Sequence, residues 1–290
     1  MPYYVLAGVL MGSVLGLGAV GLSLIFGVLR VVNLAHGAFL MLGMYITYWL
    51  FVLYGLNPAI SLIPSFIVGL LIGAIVYQTI ISRIMYGPEL STLVAGVGLM
   101  ILLEEAAKVM WEPTYRGFIY DIGTVYVGGI GLPLSKVASA LLSLLLVAVF
   151  FIVLYKTKLG TAVRALMQDP EGAALCGINV RLMYALMFSL GVSLALMSGS
   201  LIALHQQQGI NPYVGHSYLL IAFVIVVLGG LGSLHGAYVG GILVGVIISL
   251  STLVFTFFGV PQPMILAHFI AFLLILIILL LRPQGLFGGK

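Results

Sequence analysis

Almost every stretch of this chain long enough to form a structural element is also apolar enough to sit in lipid. Runs of about 20 apolar residues recur from end to end, the length an α-helix needs to cross the hydrocarbon core. Within that core no water reaches the backbone, so its N–H and C=O groups must be satisfied inside helices or closed barrels. A barrel would alternate in segments of about ten residues, whereas these runs are continuous. The sequence therefore predicts an all-α polytopic membrane protein. Its spans are Tyr4–Leu29, Gly37–Tyr54, Ala59–Ile81, Ser91–Trp111, Val137–Tyr155, Met183–His205, Tyr218–Leu234, Gly236–Phe258 and Met264–Leu281. The Tyr218–Leu234 span is the least regular: its apolar core, LLIAFVIVVLGGLG, is short and ends in glycines. A broken or re-entrant helix is allowed there where protein surrounds the backbone, which sets the expectation at about eight to ten crossings. Residues 1–290 read as one transmembrane domain with no separate soluble unit.

Charge is scarce and sits between the spans. Only 6% of the residues are charged, against roughly 25% in an average soluble domain. The formal net charge of +4 therefore reports topology rather than nucleic-acid binding. Four of the eleven Lys and Arg residues, Lys156, Lys158, Arg164 and Arg181, fall in KTKLGTAVRALMQDPEGAALCGINVR. By the positive-inside rule this loop, about 156–182, is cytoplasmic. Arg30, Arg83 and the tail from Arg282 to Lys290 fall on the same side, which leaves the N-terminus outside and the C-terminus in the cytoplasm. Met1-Pro2-Tyr3-Tyr4 lacks the positive n-region of a signal peptide, so the first apolar segment is expected to stay as a membrane helix. The segment Glu112–Lys136, rich in aromatics and glycines, reads as a structured external loop. The single cysteine, Cys176, excludes an internal disulfide and suits the reducing side of the membrane.

Within the basic loop, Asp169 through Gly177 has the grammar of a short helix. Asp169 can accept from an early backbone N–H, Pro170 fits the first helical position, Glu171 suits the positive end of the dipole, and Gly177 can close the helix in a left-handed conformation. Two turns are not stable alone in water, so this helix must lean on another surface.

Chemistry is mostly absent. No G-x-x-x-x-G-K-[ST] loop occurs, and Gly288-Gly289-Lys290 ends the chain without opening a helix. There is no H-E-x-x-H, no cysteine pair and no G-x-S-x-G, and the five histidines show no ligand spacing, so no catalytic or metal residue is assigned. Among charges inside spans, Glu104 and Lys108 are four apart and can pair on one helix face, which leaves Glu105 without a local partner. Glu105 either attracts a substrate ammonium at an external vestibule, snorkels, or meets a second subunit. Gly8, Gly12 and Gly16, like Gly236, Gly240 and Gly245, form small-residue faces for helix packing. Leu34–Phe39, LAHGAF, echoes Leu234–Tyr238, LHGAY; both lie at helix starts on the cytoplasmic side in this topology, which hints at internal duplication. A secondary transporter would need ionisable groups near the midplane, and a channel would need a filter or ring of charges. Neither pattern stands out.

DPEGAALCGINV, followed by RLMYALMFSLGVSLALMSGSLIAL, resembles the signature of ABC-importer permeases of the branched-chain amino acid and ribose type. GLSLIFGVLRVVNLAHGAFLMLGMYITY, AFVIVVLGGLGSLHGAYVGGILVG and the RPQGLFG tail extend the resemblance over most of the chain and look like the LivH-type subunit. The resemblance implies a type II-like permease in a prokaryotic inner membrane, with a cytoplasmic coupling helix. The implied partners are a second, LivM-type permease, two cytoplasmic ATPases that hold ATP and Mg, and an external substrate-binding protein, with no cofactor in this chain. Coupling would fall to Asp169, Pro170, Glu171, Ala173, Ala174 and Gly177, flanked by Arg164 and Arg181. Asn33, His36 and Glu105 are the candidates for the translocation path or subunit interface. The implied cargo is a branched-chain or hydrophobic amino acid; urea or short amides, carried by permeases of the same group, are the alternative, as is a transporter not driven by ATP.

Overall fold

The computed structural model describes residues 1–205, 209–282 and 284–287; Pro283 and Gly288–Lys290 of the basic tail lie outside them. Its helices are α1 (Pro2–Leu29), α2 (His36–Tyr54), α3 (Pro58–Ile84), α4 (Glu89–Trp111), α5 (Leu134–Lys156), α6 (Lys158–Gln168), α7 (Pro170–Leu175), α8 (Val180–His205), α9 (Val214–Gly229), α10 (Leu234–Phe257) and α11 (Pro263–Leu281). Eight of these are long and apolar enough to cross a membrane, and α9 is a shorter apolar helix. The expected Tyr218–Leu234 span thus starts earlier and stops at Gly229. Gly230 and Gly232 take φ values of 100° and 82°, which end α9 before Ser233 caps α10 by accepting from the Gly236 N–H at 3.1 Å.

α1 and α8 form the centre. Of their most apolar stretches 78% and 83% is buried, against 12% for α11 at the periphery. They run in opposite directions, with Val14 beside Ser198 and Ile25 beside Gly191. Each is clasped by a second antiparallel helix. On α1, Gly8, Gly12 and Gly16 meet Gly245, Gly241 and Tyr238 of α10 so closely that a Cβ would strike backbone. On α8, Ser193 and Ser189 meet Gly69 and Gly73 of α3 in the same way. Small residues let the backbones approach, and approach is what stabilises helix pairs in lipid, where the hydrophobic effect between helices is missing. Of the second glycine face read from the sequence, only Gly245 serves α1; Gly236 and Gly240 pack on α9. Buried hydroxyls stitch these helices and α5 together: Ser198 donates to the Val14 carbonyl at 2.8 Å, Ser143 of α5 to the Ser13 carbonyl at 2.7 Å, and Ser65 and Ser200 share a 2.7 Å bond.

α1–α3 and α8–α10 are related as inverted units: a buried central helix, a helix that starts after a turn, then a clasping helix. The second helices, α2 and α9, begin alike. Asn33 and Asn211 each accept from the N–H two residues on, at 3.2 and 2.8 Å, and the two helix starts touch through Gly37 and Gly215. The LAHGAF echo is therefore misaligned with the duplication. His36 corresponds in place to the start of α9, whereas His235 opens α10 and stacks on Phe151 at 4.3 Å. Nor does α2 start at the membrane edge. His36 bonds the Gly18 carbonyl at 2.9 Å, eleven residues or about 16 Å up α1 from its Leu29 end. Arg30 turns the chain out of α1 at φ 55°, and residues 31–33, buried or half-buried and outside any helix, make up the distance.

The face bearing α6 and α7 carries most of the basic residues and is called the basic face. On the opposite face, β1 (Thr124–Val127) and β2 (Ile130–Pro133) form an antiparallel hairpin. Its two turn residues, Gly128 and Gly129, have φ of 58° and 82°, the left-handed pair that a tight hairpin requires. Beside it, Trp111 stacks on Tyr45 at 4.2 Å, and Arg116 lies over the Trp49 ring and bridges to Ile210.

Candidate coupling loop and polar path

The basic loop contains two helices. The sequence reading singled out only the second; the first, α6, is amphipathic, burying Gly160, Val163 and Leu166. A Cβ on Gly160 would overlap the Leu154 backbone, so α6 turns back tightly against the end of α5. Arg164 does not stand free beside α7: its guanidinium donates to the Leu154 carbonyl and lies 5.2 Å from the Tyr155 ring, fastening α6 to α5. Asp169 closes α6, donating its N–H to Ala165 at 2.9 Å, and opens α7, its Oδ1 accepting from the Glu171 N–H at 3.0 Å. Pro170 occupies the first turn without losing a hydrogen bond. Gly177, at φ 80°, and Ile178 turn the chain back, Ile178 donating to Ala173 at 3.1 Å. Ala173 is the buried anchor, while Glu171, Ala174, Leu175, Cys176 and Arg181 are exposed. Leu175, at 90%, is the most exposed large apolar side chain outside the membrane spans among the described residues.

The second group lies at membrane depth. Asn33 and His36 are fully enclosed where α2 begins; the His36 Nε2–H donates to Gly18, and neither Asn33 Nδ2 nor His36 Nδ1 has a partner. Next to the Gly37–Gly215 contact, His216 of α9 meets Glu104 of α4 at 3.0 Å. Here the acidic residues exchange the roles read from the sequence. Lys108 pairs with Glu105, three residues away, not with Glu104, and its ammonium lies 5.2 Å from the Tyr213 ring. Glu105 is 57% exposed, whereas Glu104 is 6% exposed with Oε1 unpartnered. The reason is tertiary. α4 packs at Gly96 on Leu34 and at Trp111 on Tyr45, which turns Glu104 inward to α9 and Glu105 outward. No local spacing encodes His216 as a partner.

Two buried central helices, two helices (α2 and α9) that start inside the membrane and a capped loop helix on the basic face define a polytopic membrane transport subunit. The chain belongs to the family described as the branched-chain amino acid transport system / permease component, whose model matches residues 4–279. It is 28% identical to the high-affinity branched-chain amino acid transport system permease protein LivH of Salmonella typhimurium, over 97% of this chain and 93% of that protein. It is likewise 28% identical to the BraD permease protein of Pseudomonas aeruginosa, over 97% and 94%. A probable LivH of Methanocaldococcus jannaschii is 27% identical over 97% and 90%. A chain of PsaBC from Streptococcus pneumoniae in complex with Fab overlays 94% of this chain and 90% of its own at 17% identity, with a TM-score of 0.48.

Proposed function

We propose that this chain is a membrane permease subunit of an ATP-driven importer of branched-chain or other hydrophobic amino acids. It works with a second, LivM-type permease, two cytoplasmic ATPases and an external substrate-binding protein, and its basic face is cytoplasmic. A pump subunit without a phosphate-binding loop must receive work from a partner. The observation that carries this reading is α7: a short helix capped at both ends, rooted by Ala173 and presenting Leu175 outward beside acidic Glu171. Such a helix can transmit displacement because its root is packed while its tip is free to seat in another subunit. Asn33, His36, Gly37, Gly215 and His216, with Glu104 in place of Glu105, are the proposed polar centre of the path, where two helix starts meet inside the membrane as in broken-helix transporter sites.

Cys176, exposed one residue past Leu175, supplies the test. In intact cells a membrane-impermeant maleimide should leave it unlabelled. In inverted vesicles it should react, and reaction should slow when the ATPases are bound. Efficient labelling from outside would reverse the topology and end the coupling assignment.

A further inference from the structure

Toward the hairpin face, a half-enclosed cavity of about 830 Å³ lies between α1, α9, α10 and the first turns of α11. Its polar end is formed by Lys136 in the first turn of α5, His205 at the end of α8, Ser217 of α9 and the Tyr3–Tyr4 pair. Its depth is apolar, reaching Leu15, Ile221 and Phe272. Along α1 the lining runs from Tyr4 to Leu15, a rise of about 16 Å. That is close to one leaflet, half of the hydrocarbon core of about 30 Å.

Two observations at the polar end call for an anion. Lys136 is half-buried and has no ion-pair partner among the described residues, in a position where an uncompensated cation is costly. His205 is 8% exposed, lines the cavity and has no partner for Nδ1 among the described residues. The other polar side chains of the lining on α10 and α11 are already used: Ser249 donates to the Tyr4 carbonyl at 2.6 Å, Thr252 to Ile248 at 2.8 Å, and the His268 Nδ1–H to Met264 at 2.7 Å. No carboxylate is found among the described residues that line the cavity, so a zwitterionic amino acid would find a charged partner for its carboxylate but none for its ammonium. The volume lies near the top of the ~300–1,000 Å³ range of pockets that enclose drug-sized molecules, well beyond what one amino acid fills.

We propose that this cavity holds one anionic phospholipid of the leaflet at the hairpin face, its phosphate at Lys136 and His205 and an acyl chain along α1 against α9 and α11. The lipid neutralises Lys136 and fills the gap between α11 and the centre.

The test uses the purified full-length chain in detergent with equal amounts of dioleoyl phosphatidylglycerol and dioleoyl phosphatidylcholine, read by native mass spectrometry. Wild type should retain one phosphatidylglycerol in preference to phosphatidylcholine. Lys136→Ala should lower that preference about fivefold, the factor one Lys contributes to anionic-lipid attraction. Lys136→Arg should keep it. Ala7→Phe, which fills the groove without touching its charge, should lower retention of both lipids, with circular dichroism confirming that each variant is helical. An unchanged preference in Lys136→Ala, or retention of neither lipid by wild type, overturns the proposal. Saturable binding of labelled leucine that Lys136→Ala abolishes overturns it as well, by assigning the cavity to a substrate carboxylate.

Discussion

Asp169→Ala isolates the part of α7 that a coupling role needs. In the structure one carboxylate oxygen accepts the Glu171 N–H at 3.0 Å, and no other side chain caps that end. Removing an N-cap of this kind costs about 1 kcal/mol, a factor of about five in the folded-to-frayed ratio of the segment. The rest of the support survives: Ala173 remains buried, and the closing bonds from Cys176 to Gly172 and Ile178 to Ala173 do not involve the Asp169 side chain. The helix should therefore fray from its N-terminus while the membrane spans stay intact. Hydrogen exchange should show protection of the Glu171–Ala173 amides falling about fivefold, with no change in α1 or α8. In proteoliposomes with the partner subunits, substrate-stimulated ATP hydrolysis and uptake should fall together, and Asp169→Ser, which keeps a capping oxygen, should restore both. Fivefold loss of protection with normal uptake would refute the coupling argument, because the helix would be loosened without consequence.

Glu104→Gln should lower the stability of the detergent-solubilised protein by about 1–2 kcal/mol, since it disturbs the hydrogen bond between His216 and a buried carboxyl. Glu105→Gln, at an exposed pair, should cost under about 1 kcal/mol; equal effects in a melting assay would undo the inward assignment of Glu104. Gly43→Ala should destabilise by about 1–3 kcal/mol or more, because its Cβ overlaps the Leu196 carbonyl where α2 crosses α8. Gly98→Ala, with open space around it on α4, should be neutral or stabilising, so matching losses at both glycines would show that helix propensity, not crossing distance, controls the measurement.

The spans were legible because continuous apolar runs of this length have few alternatives, and their ends fall within a few residues of the helices except at α9. The caps of α7 were legible because Asp, Pro and Gly act through their own backbone. What escaped was set by packing. The depth of His36 depends on Val31, Val32 and Asn33 leaving the helical path, and two β-branched residues before an Asx turn were a visible hint of it. The hairpin was also visible in principle, as Gly128-Gly129 between two short apolar strands. So was α6, through the spacing of Leu159, Val163 and Leu166. The choice between Glu104 and Glu105 was not, since the deciding partner lies on a different helix.

That partner bears on how the molecule is made. Glu104, Glu105 and Lys108 place three ionisable groups in the half of α4 nearer the hairpin face, and the insertion cost of an unpaired charge can reach about 2.5–3.5 kcal/mol at the bilayer centre. Lys108 and Glu105 can neutralise each other as soon as α4 emerges, but His216 is not synthesised until four further helices have followed. α4 therefore enters the membrane with Glu104 unpaired, and that carboxyl meets its partner only when α9 arrives. A chain truncated before residue 214 should leave α4 extractable or degraded even though every residue of that helix is present.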